Sequence, residues 1–408
     1  MQRLMNRVVV TGLGVVSPAG STLSEFWSQI LNGISAIRPI TLVSSDFLDI
    51  KLAAEVAGFE PSAWIEPKRL SMMDRFSQFA VAAAQQALRD AQLVIDESLA
   101  EHVATIVGSG VGGQNTLETG YKRIYGEGNP RAHPLTILKL MINAPVSNIS
   151  IELGLKGPSF AIASACASGT HAIGEAFSMV RSGRVKAAIA GGADACLTLG
   201  TIKAWEAMRV LSHDTCRPFC RDRSGTVLGE GAAICVLETL EAARARGARI
   251  YAEVAGFGMG ADGRDMVLPD AAGVARIIDQ ALRDAKLELD SVDYVNAHGT
   301  GTIPNDIIES RALQRVFGSH VRRLAISSSK AVLGHGLGAA GALEFVVTVL
   351  AVRNQIAPPT ANFTEKDPEC DLDYVPYEAR QMPIRAAISS SLAFGGLNAV
   401  LVVRPPPT

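Results

Sequence analysis

One cysteine stands in a setting that favours nucleophilic chemistry. Cys166 lies in the small-residue segment 164–169 (SACASG), where an apolar strand-like run turns into a helix-like run. At a helix start, free N–H groups and the helix dipole favour the thiolate, which is the nucleophilic form. A buried structural cysteine is the alternative on this segment alone, because free cysteine is among the most buried residue types.

Two histidines favour the nucleophilic interpretation. His298 lies in segment 295–302 (VNAHGTGT) and His335 in segment 328–341 (SSKAVLGHGLGAAG). They are the two of seven histidines that stand inside glycine-rich turns after apolar runs. Because glycine permits close backbone approach, such turns can present a side chain to a ligand. A thiolate with two imidazoles that donate or move protons predicts covalent thioester chemistry.

Composition indicates a large protein without a strong electrostatic bias. The 408 residues are 48% hydrophobic, and the formal net charge of −2 does not favour nucleic acid or a membrane surface as a partner. No apolar run is expected to reach transmembrane length, and the first residues lack the pattern of a secretory signal. We therefore expect a cytoplasmic location, and at this size the six cysteines are expected to be reduced thiols.

Strand-like and helix-like patterns alternate along the chain, which predicts an α/β fold. The predicted strands are 7–11, 103–107, 187–190, 232–238, 292–296, 323–327 and 399–403. The predicted helices are 74–91, 166–181, 273–285, 305–316 and 337–353.

A weak internal repeat indicates a duplicated core. Three segments of the first part match three of the second part in the same order: 103–113 with 292–302, 160–181 with 324–353, and 187–195 with 387–399. Duplication would place Cys166 and Lys330 at matching strand-to-helix turns. Chance similarity between Ala/Gly-rich segments is the alternative.

Motifs spread over essentially the whole chain resemble those of the β-ketoacyl-acyl-carrier-protein synthases, the elongating condensing enzymes. The segments that carry this resemblance are 7–14, 73–76, 164–169, 217–225, 228–232, 296–302, 330–341 and 394–396. The resemblance implies the thiolase fold, with two similar halves in an α-β-α-β-α arrangement. We expect 1–255 to carry the nucleophile and 256–408 the two histidines. The Cys/His/His set is similar to that of the elongating synthases, whereas priming synthases have Cys/His/Asn.

The resemblance also implies residue roles. Cys166 would hold the acyl group, and its backbone N–H, with that of the gating residue Phe394, would form the oxyanion hole. His298 and His335 would stabilise the enolate formed from a malonyl thioester. The remaining residues are implied as supporting groups: Lys330 and its acidic partner Glu344 beside the histidines, and Thr300 and Thr302 at the pantetheine arm. A structural ion pair and turn hydroxyls are the simpler interpretations of these groups.

The resemblance implies no cofactor and no metal, and it implies acyl carrier protein as the partner. It implies a homodimer, or a heterodimer with a chain-length factor. Segment 203–219 is similar to the specialised branch that includes nodulation protein E, so fatty-acid and polyketide-type elongation both stay open. A chain-length-factor-like scaffold is the non-enzymatic alternative. Departures from the family pattern occur at two loops: Leu392, Ala393 and Leu397 near the gate, and Asp265, Val267 and Leu268 near the pantetheine entrance.

Three further patterns have weaker interpretations. The loop 108–113 (GSGVGG) could bind a dinucleotide, but no acidic partner follows at the expected distance. His213, Cys216 and Cys220 could bind zinc, but a fourth ligand is missing. The basic residues Lys68, Arg69, Arg131 and Arg209 could form a patch for an acidic carrier protein, or could be ordinary solvated surface.

Overall fold

The computed structural model describes residues 5–407 and contains fourteen strands and fourteen α-helices within them. The strands are β1 Val8–Val16, β2 Arg38–Pro39, β3 Leu52–Ala53, β4 Val103–Gly108, β5 Ser159–Ile162, β6 Ala187–Asp194, β7 Gly231–Thr239, β8 Ala252–Ala261, β9 Tyr294–Asn296, β10 Ala325–Ser327, β11 Ile356–Ala357, β12 Arg380–Gln381, β13 Ala387–Ser391 and β14 Leu397–Arg404. The helices are α1 Leu23–Leu31, α2 Pro67–Leu70, α3 Arg75–Ala91, α4 Glu97–Ala100, α5 Gln114–Tyr121, α6 Thr136–Leu140, α7 Ala144–Leu153, α8 Ser168–Arg181, α9 Leu199–Ala207, α10 Leu240–Ala245, α11 Ala271–Ala285, α12 Ile303–Phe317, α13 Lys330–Leu333 and α14 Ala340–Asn354.

Ten strands are hydrogen-bonded in the order β5-β4-β6-β7-β1-β8-β14-β13-β9-β10, which divides into two equivalent halves. In the first half β5, β4 and β6 are parallel, and β7 and β1 are antiparallel to their neighbours. In the second half β10, β9 and β13 are parallel, and β14 and β8 are antiparallel to theirs. The halves meet where Val8–Val10 pair with Val254–Ala252. This arrangement confirms the predicted duplication. The predicted boundary between the two halves, at residue 255, falls within β8 and stays a prediction.

The helices complete five layers. Helix α3 covers the outer face of the first half-sheet, and α11 with α12 covers the outer face of the second. Helices α8 and α14 pack against each other and against strands of both halves, so they form the central layer. The α-β-α-β-α arrangement is therefore confirmed. Because α8 and α14 follow equivalent edge strands, the turns before them bring the predicted chemistry of both halves to the centre.

Segment Leu337–Asn354 corrects the expectation about apolar runs. By length and composition alone it could cross a membrane, with a mean hydropathy of 1.4 over 18 residues. In the fold, 89% of this window is buried, and every residue from Ala340 to Val352 is buried. A helix that is apolar on all sides belongs in the core of a large protein when other layers enclose it, as they enclose α14.

Candidate active site

The turn that carries Cys166 is fixed by its own hydrogen bonds and by its close approach to the end of β4. Ala165 has a left-handed φ of 49°, and Ser168 Oγ accepts from Ser164 N at 2.9 Å and donates to Ala165 O at 2.6 Å. A Cβ atom on Gly108 would lie 2.2 Å from the carbonyl carbon of Ser168, so glycine alone permits this approach. The helix begins at Ser168, two residues later than predicted, and leaves Cys166 in the turn.

The structure brings the three predicted catalytic side chains together. Cys166 Sγ lies 3.1 Å from His335 Nε2, and the two imidazole rings are 5.6 Å apart between centroids, at 85° to each other. Each of the three residues is at most 5% exposed. They line one cavity of about 250 Å³, which also contains Phe394, Thr300 and Thr302. A nucleophile and two proton donors therefore face a common space large enough for a thioester.

Lys330 and Glu344 support the histidines from the buried side. Lys330 Nζ donates to the carbonyl oxygen of His298 at 2.6 Å, lies 3.1 Å from His298 Nδ1, and pairs with the Glu344 carboxylate. An ammonium group can only donate, so Nδ1 accepts and the ring proton of neutral His298 resides on Nε2. Desolvation, followed by the charge of Lys330, lowers the pKa of both His298 and His335 well below the usual value. Both imidazoles are therefore neutral at physiological pH.

The loop at Phe394 is joined to the predicted entrance loop. The Phe394 backbone N–H interacts with the Cys166 sulfur, and Gly395 N donates to Met266 O at 2.8 Å. Asp265 Oδ1 accepts from Val267 N at 2.7 Å and from Leu268 N at 2.9 Å, so this departure from the family pattern shapes the loop. The other departures change the cavity wall or the rim: Val267, Leu268, Leu392 and Ala393 line the cavity, and Leu397 is 37% exposed.

Burial controls the protonation of Cys166. Desolvation raises the pKa of the thiol to about 12, although the charge of Lys330 opposes this effect. Glu344 and Asp194 raise it further through their negative charge. The expectation that a helix start would favour the thiolate is therefore wrong for the resting state, because Cys166 precedes the helix and lies in a desolvated cavity.

Comparison with known proteins identifies the family. Residues 5–243 match the beta-ketoacyl synthase N-terminal domain, and residues 251–364 match the C-terminal domain. Nodulation protein E of Rhizobium sp. (strain N33) is 45% identical over 98% of this chain and 99% of its own length. The 3-oxoacyl-[acyl-carrier-protein] synthase 2 of Coxiella burnetii is 44% identical, covering 97% and 98%. The ishigamide ketosynthase/chain length factor superposes with a TM-score of 0.95 at 38% identity, covering 99% and 100%.

The chain belongs to the β-ketoacyl synthase family. This membership agrees with the fold, with the Cys/His/His geometry and with the resemblance found in the sequence. Thr300 and Thr302 of this β-ketoacyl synthase both line the cavity, and their hydroxyls lie 2.8 Å from each other. The two residues therefore lie where the resemblance places the pantetheine arm, and their hydroxyls hydrogen-bond to each other.

We expect alkylation of Cys166 by iodoacetamide to rise about tenfold per pH unit between pH 6 and pH 9, without a plateau, because the thiolate fraction follows a raised pKa. The measurement is the rate of mass increase of intact protein at each pH. Cys166→Ala is the control, because the other five cysteines are also buried and should stay unlabelled. A plateau below pH 8 would instead indicate a stable thiolate–imidazolium pair.

Two residues at the site of this β-ketoacyl synthase were not predicted. The centroid of the Trp205 ring lies 5.6 Å from that of Phe394, the predicted gate, and 6.3 Å from that of His335, a predicted catalytic residue. Glu309 accepts from His298 N and Gly299 N at 2.8 Å each and orients the histidine turn. Glu309 could have been found from the sequence, because Asp306 and Glu309 stand three residues apart and so share one face of α12, where both are buried.

The weaker patterns have structural explanations. Loop 108–113 packs against the Cys166 turn and the His335 turn. Cys216 Sγ lies 3.5 Å from Thr300 O, Cys220 Sγ accepts from Thr364 N, and His213 is exposed. Within residues 5–407, no three His, Cys, Asp or Glu side chains are grouped to hold a metal ion.

Proposed function

We propose that this protein is a β-ketoacyl-acyl-carrier-protein synthase that joins an acyl group on Cys166 to a malonyl thioester by decarboxylative Claisen condensation. The observation that carries the proposal is the 3.1 Å contact between Cys166 Sγ and His335 Nε2 beside the ring of His298. A scaffold subunit would not require this buried arrangement. The names of the relatives, which include 3-oxoacyl-[acyl-carrier-protein] synthase 2, agree with this activity.

In the first step, Cys166 Sγ attacks the carbonyl carbon of an acyl thioester. The thiol proton passes through solvent to the departing pantetheine sulfur, which balances the transfer, while the Nε2–H of His335 stabilises the thiolate. The backbone N–H groups of Cys166 and Phe394 would stabilise the oxyanion of the tetrahedral intermediate. The backbone of Phe394 interacts with the Cys166 sulfur. A movement of the Phe394 gate would therefore act directly where the acyl group is loaded.

In the second step, a malonyl thioester occupies the space in front of the two imidazoles. Its carboxylate leaves as carbon dioxide, and the electron pair of the broken bond forms an enolate. The Nε2–H groups of His298 and His335 would donate hydrogen bonds to the enolate oxygen. Both imidazoles can do so while neutral, because desolvation lowers their pKa values. The enolate carbon then attacks the acyl-cysteine, forms the new carbon–carbon bond and releases the Cys166 sulfur.

The test is the intact mass of the purified protein after incubation with a panel of acyl-carrier-protein thioesters. The proposal predicts adducts of acyl mass on wild-type protein and none on Cys166→Ala. Adducts that persist in Cys166→Ala would overturn the assignment of the nucleophile. No adduct from any donor on the protein alone, followed by adducts when a chain-length-factor subunit is added, would identify a heterodimer.

The acyl substrate and the assembly follow from the same panel. Nodulation protein E and 3-oxoacyl-[acyl-carrier-protein] synthase 2 are almost equally similar to this chain, and the ishigamide structure is titled ketosynthase/chain length factor. We therefore propose a cytoplasmic enzyme that works with acyl carrier protein as a homodimer or as the catalytic partner of a chain-length factor. Saturated donors preferred over others would support fatty-acid elongation, and the reverse order would support polyketide-type elongation.

Carrier-protein docking should depend most on Arg209. Of the four basic residues predicted to form a patch, Arg209 lies at the catalytic cavity, whereas Arg69 is paired with Glu152 at 2.9 Å. Arg209→Glu is expected to raise the KM for acyl carrier protein at low salt, with little change in kcat. Arg353→Glu is the control, because Arg353 is exposed at the far end of α14. An unchanged, salt-independent KM would count against the patch.

A further inference from the structure

A buried carboxylate outside the proposed mechanism connects the two catalytic turns. Asp194 ends β6 and is fully inaccessible. Its Oδ1 accepts from Ser109 Oγ at 2.6 Å, and its Oδ2 accepts from Gly110 N at 2.8 Å and Gly338 N at 2.6 Å. Within residues 5–407 no basic side chain forms an ion pair with Asp194, so hydrogen bonds alone compensate its charge.

The two glycines bonded to Asp194 belong to segments beside Cys166 and His335. Gly338 follows His335 by three residues, after the left-handed Leu337. A Cβ atom on Gly338 would lie 2.3 Å from Gly110 N, so the two segments are in direct contact. A Cβ atom on Gly110 would lie 3.5 Å from Ala165 O, which places the nucleophile turn next to it. One carboxylate oxygen therefore fixes the position of the His335 turn relative to the Cys166 turn.

We infer that Asp194 is a positioning residue that sets the Cys166–His335 geometry and that places a buried negative charge next to the turn that carries Cys166. This inference rests on the proposed function of those two residues. The groups whose charge acts on the Cys166 thiol are Lys330, which lowers its pKa, and Glu344 and Asp194, which raise it. Burial raises the pKa of Asp194 itself to about 6, so the carboxylate is mainly ionised at pH 7 and above.

Two substitutions separate the geometric part from the electrostatic part. Asp194→Asn can keep an oxygen for Gly110 N and Gly338 N and turn its amide to Ser109 Oγ, while removing the charge. Asp194→Ala removes both acceptors. We expect iodoacetamide to alkylate Cys166 several-fold faster in Asp194→Asn than in the wild-type protein at pH 8. We expect Asp194→Ala to lose about tenfold or more in condensation kcat, with an unchanged KM for malonyl-carrier protein.

The control is Glu238→Gln, which disturbs another buried carboxylate, on β7, that pairs with Arg246 at 2.6 Å. It should lower the unfolding temperature without changing the pH dependence of alkylation, as a purely structural role would. Alkylation does not require turnover, so it tests Asp194 even if condensation is weak. If the alanine variant does not fold, the asparagine variant still tests the inference. A wild-type alkylation profile in folded Asp194→Asn would overturn it, whereas failure of wild-type protein to form acyl adducts would overturn the proposed function instead.

Discussion

Replacing Cys166 with alanine or serine should abolish condensation, with a loss of at least about 10⁴-fold. The reason is that the cavity offers the acyl group no other thiol, because the remaining cysteines do not line it. Serine keeps the shape but replaces the thiol with a much weaker acid, so it should not rescue the reaction. The measurement is the rate of β-ketoacyl-carrier-protein formation from acyl and malonyl donors.

Cys235→Ala is the matched control for the nucleophile. Cys235 is buried on β7, and its thiol donates to Ala190 O at 3.3 Å, in the sheet and away from the cavity. Its replacement should lower stability slightly and leave condensation intact. Undiminished condensation by Cys166→Ala or Cys166→Ser would refute the assignment of the nucleophile.

His298→Ala and His335→Ala should each reduce malonyl decarboxylation more than acyl loading. Each variant removes a hydrogen-bond donor from the developing enolate, and loss of one such donor costs about 10² to 10³ in rate. Loading should fall less, because the oxyanion of that step is stabilised by backbone N–H groups that both variants keep. The measurements are carbon dioxide release from malonyl-carrier protein and acyl adduct formation by intact mass.

The exposed His213 provides the control for the histidine variants. His213→Ala should decarboxylate and load at wild-type rates, since the residue does not line the cavity. The roles proposed for His298 and His335 would be disproved if both alanine variants decarboxylated normally. A pH-independent decarboxylation rate between pH 6 and pH 8 would support neutral imidazoles, because their pKa values are lowered by burial.

Much of the fold could be predicted from hydrophobic patterns, but β8 and β13 were not among the predicted strands. The middle of β8 alternates glycine with larger residues, and glycine is depleted in strands. A Cβ atom on Gly256 would lie 2.5 Å from Ala281 O, and one on Gly258 2.5 Å from Ile277 O. These glycines exist so that α11 can pack closely on the sheet, which is a tertiary requirement that a local pattern does not reveal. In β13, three consecutive serines mask the strand.

The residues proposed to be catalytic could be found in the sequence, but their electrostatic environment could not. Cys166, His298 and His335 stand in local segments that carry a chemical signature, and the resemblance supplied Lys330 and Glu344. The raised pKa of Cys166 depends on how deeply the turn is buried, and Asp194 acts through Gly110 and Gly338, which are distant in sequence. Such effects arise when β6 and the turns of both halves meet, so no single segment contains them.

The depth of the Cys166 thiol has a consequence for the end of each catalytic cycle. Condensation expels the sulfur as a thiolate, in a cavity where burial raises the pKa of Cys166 to about 12. The thiolate must therefore recover a proton before the next acyl group is loaded, and until then the Nε2–H of His335, whose nitrogen lies 3.1 Å from the sulfur, would stabilise it. Because carbon dioxide leaves without the negative charge of the malonyl group, this proton comes from solvent. The cavity must therefore admit protons as well as substrates, and each turnover should consume one proton, which makes an unbuffered solution more alkaline when the carbon dioxide is swept away before it hydrates.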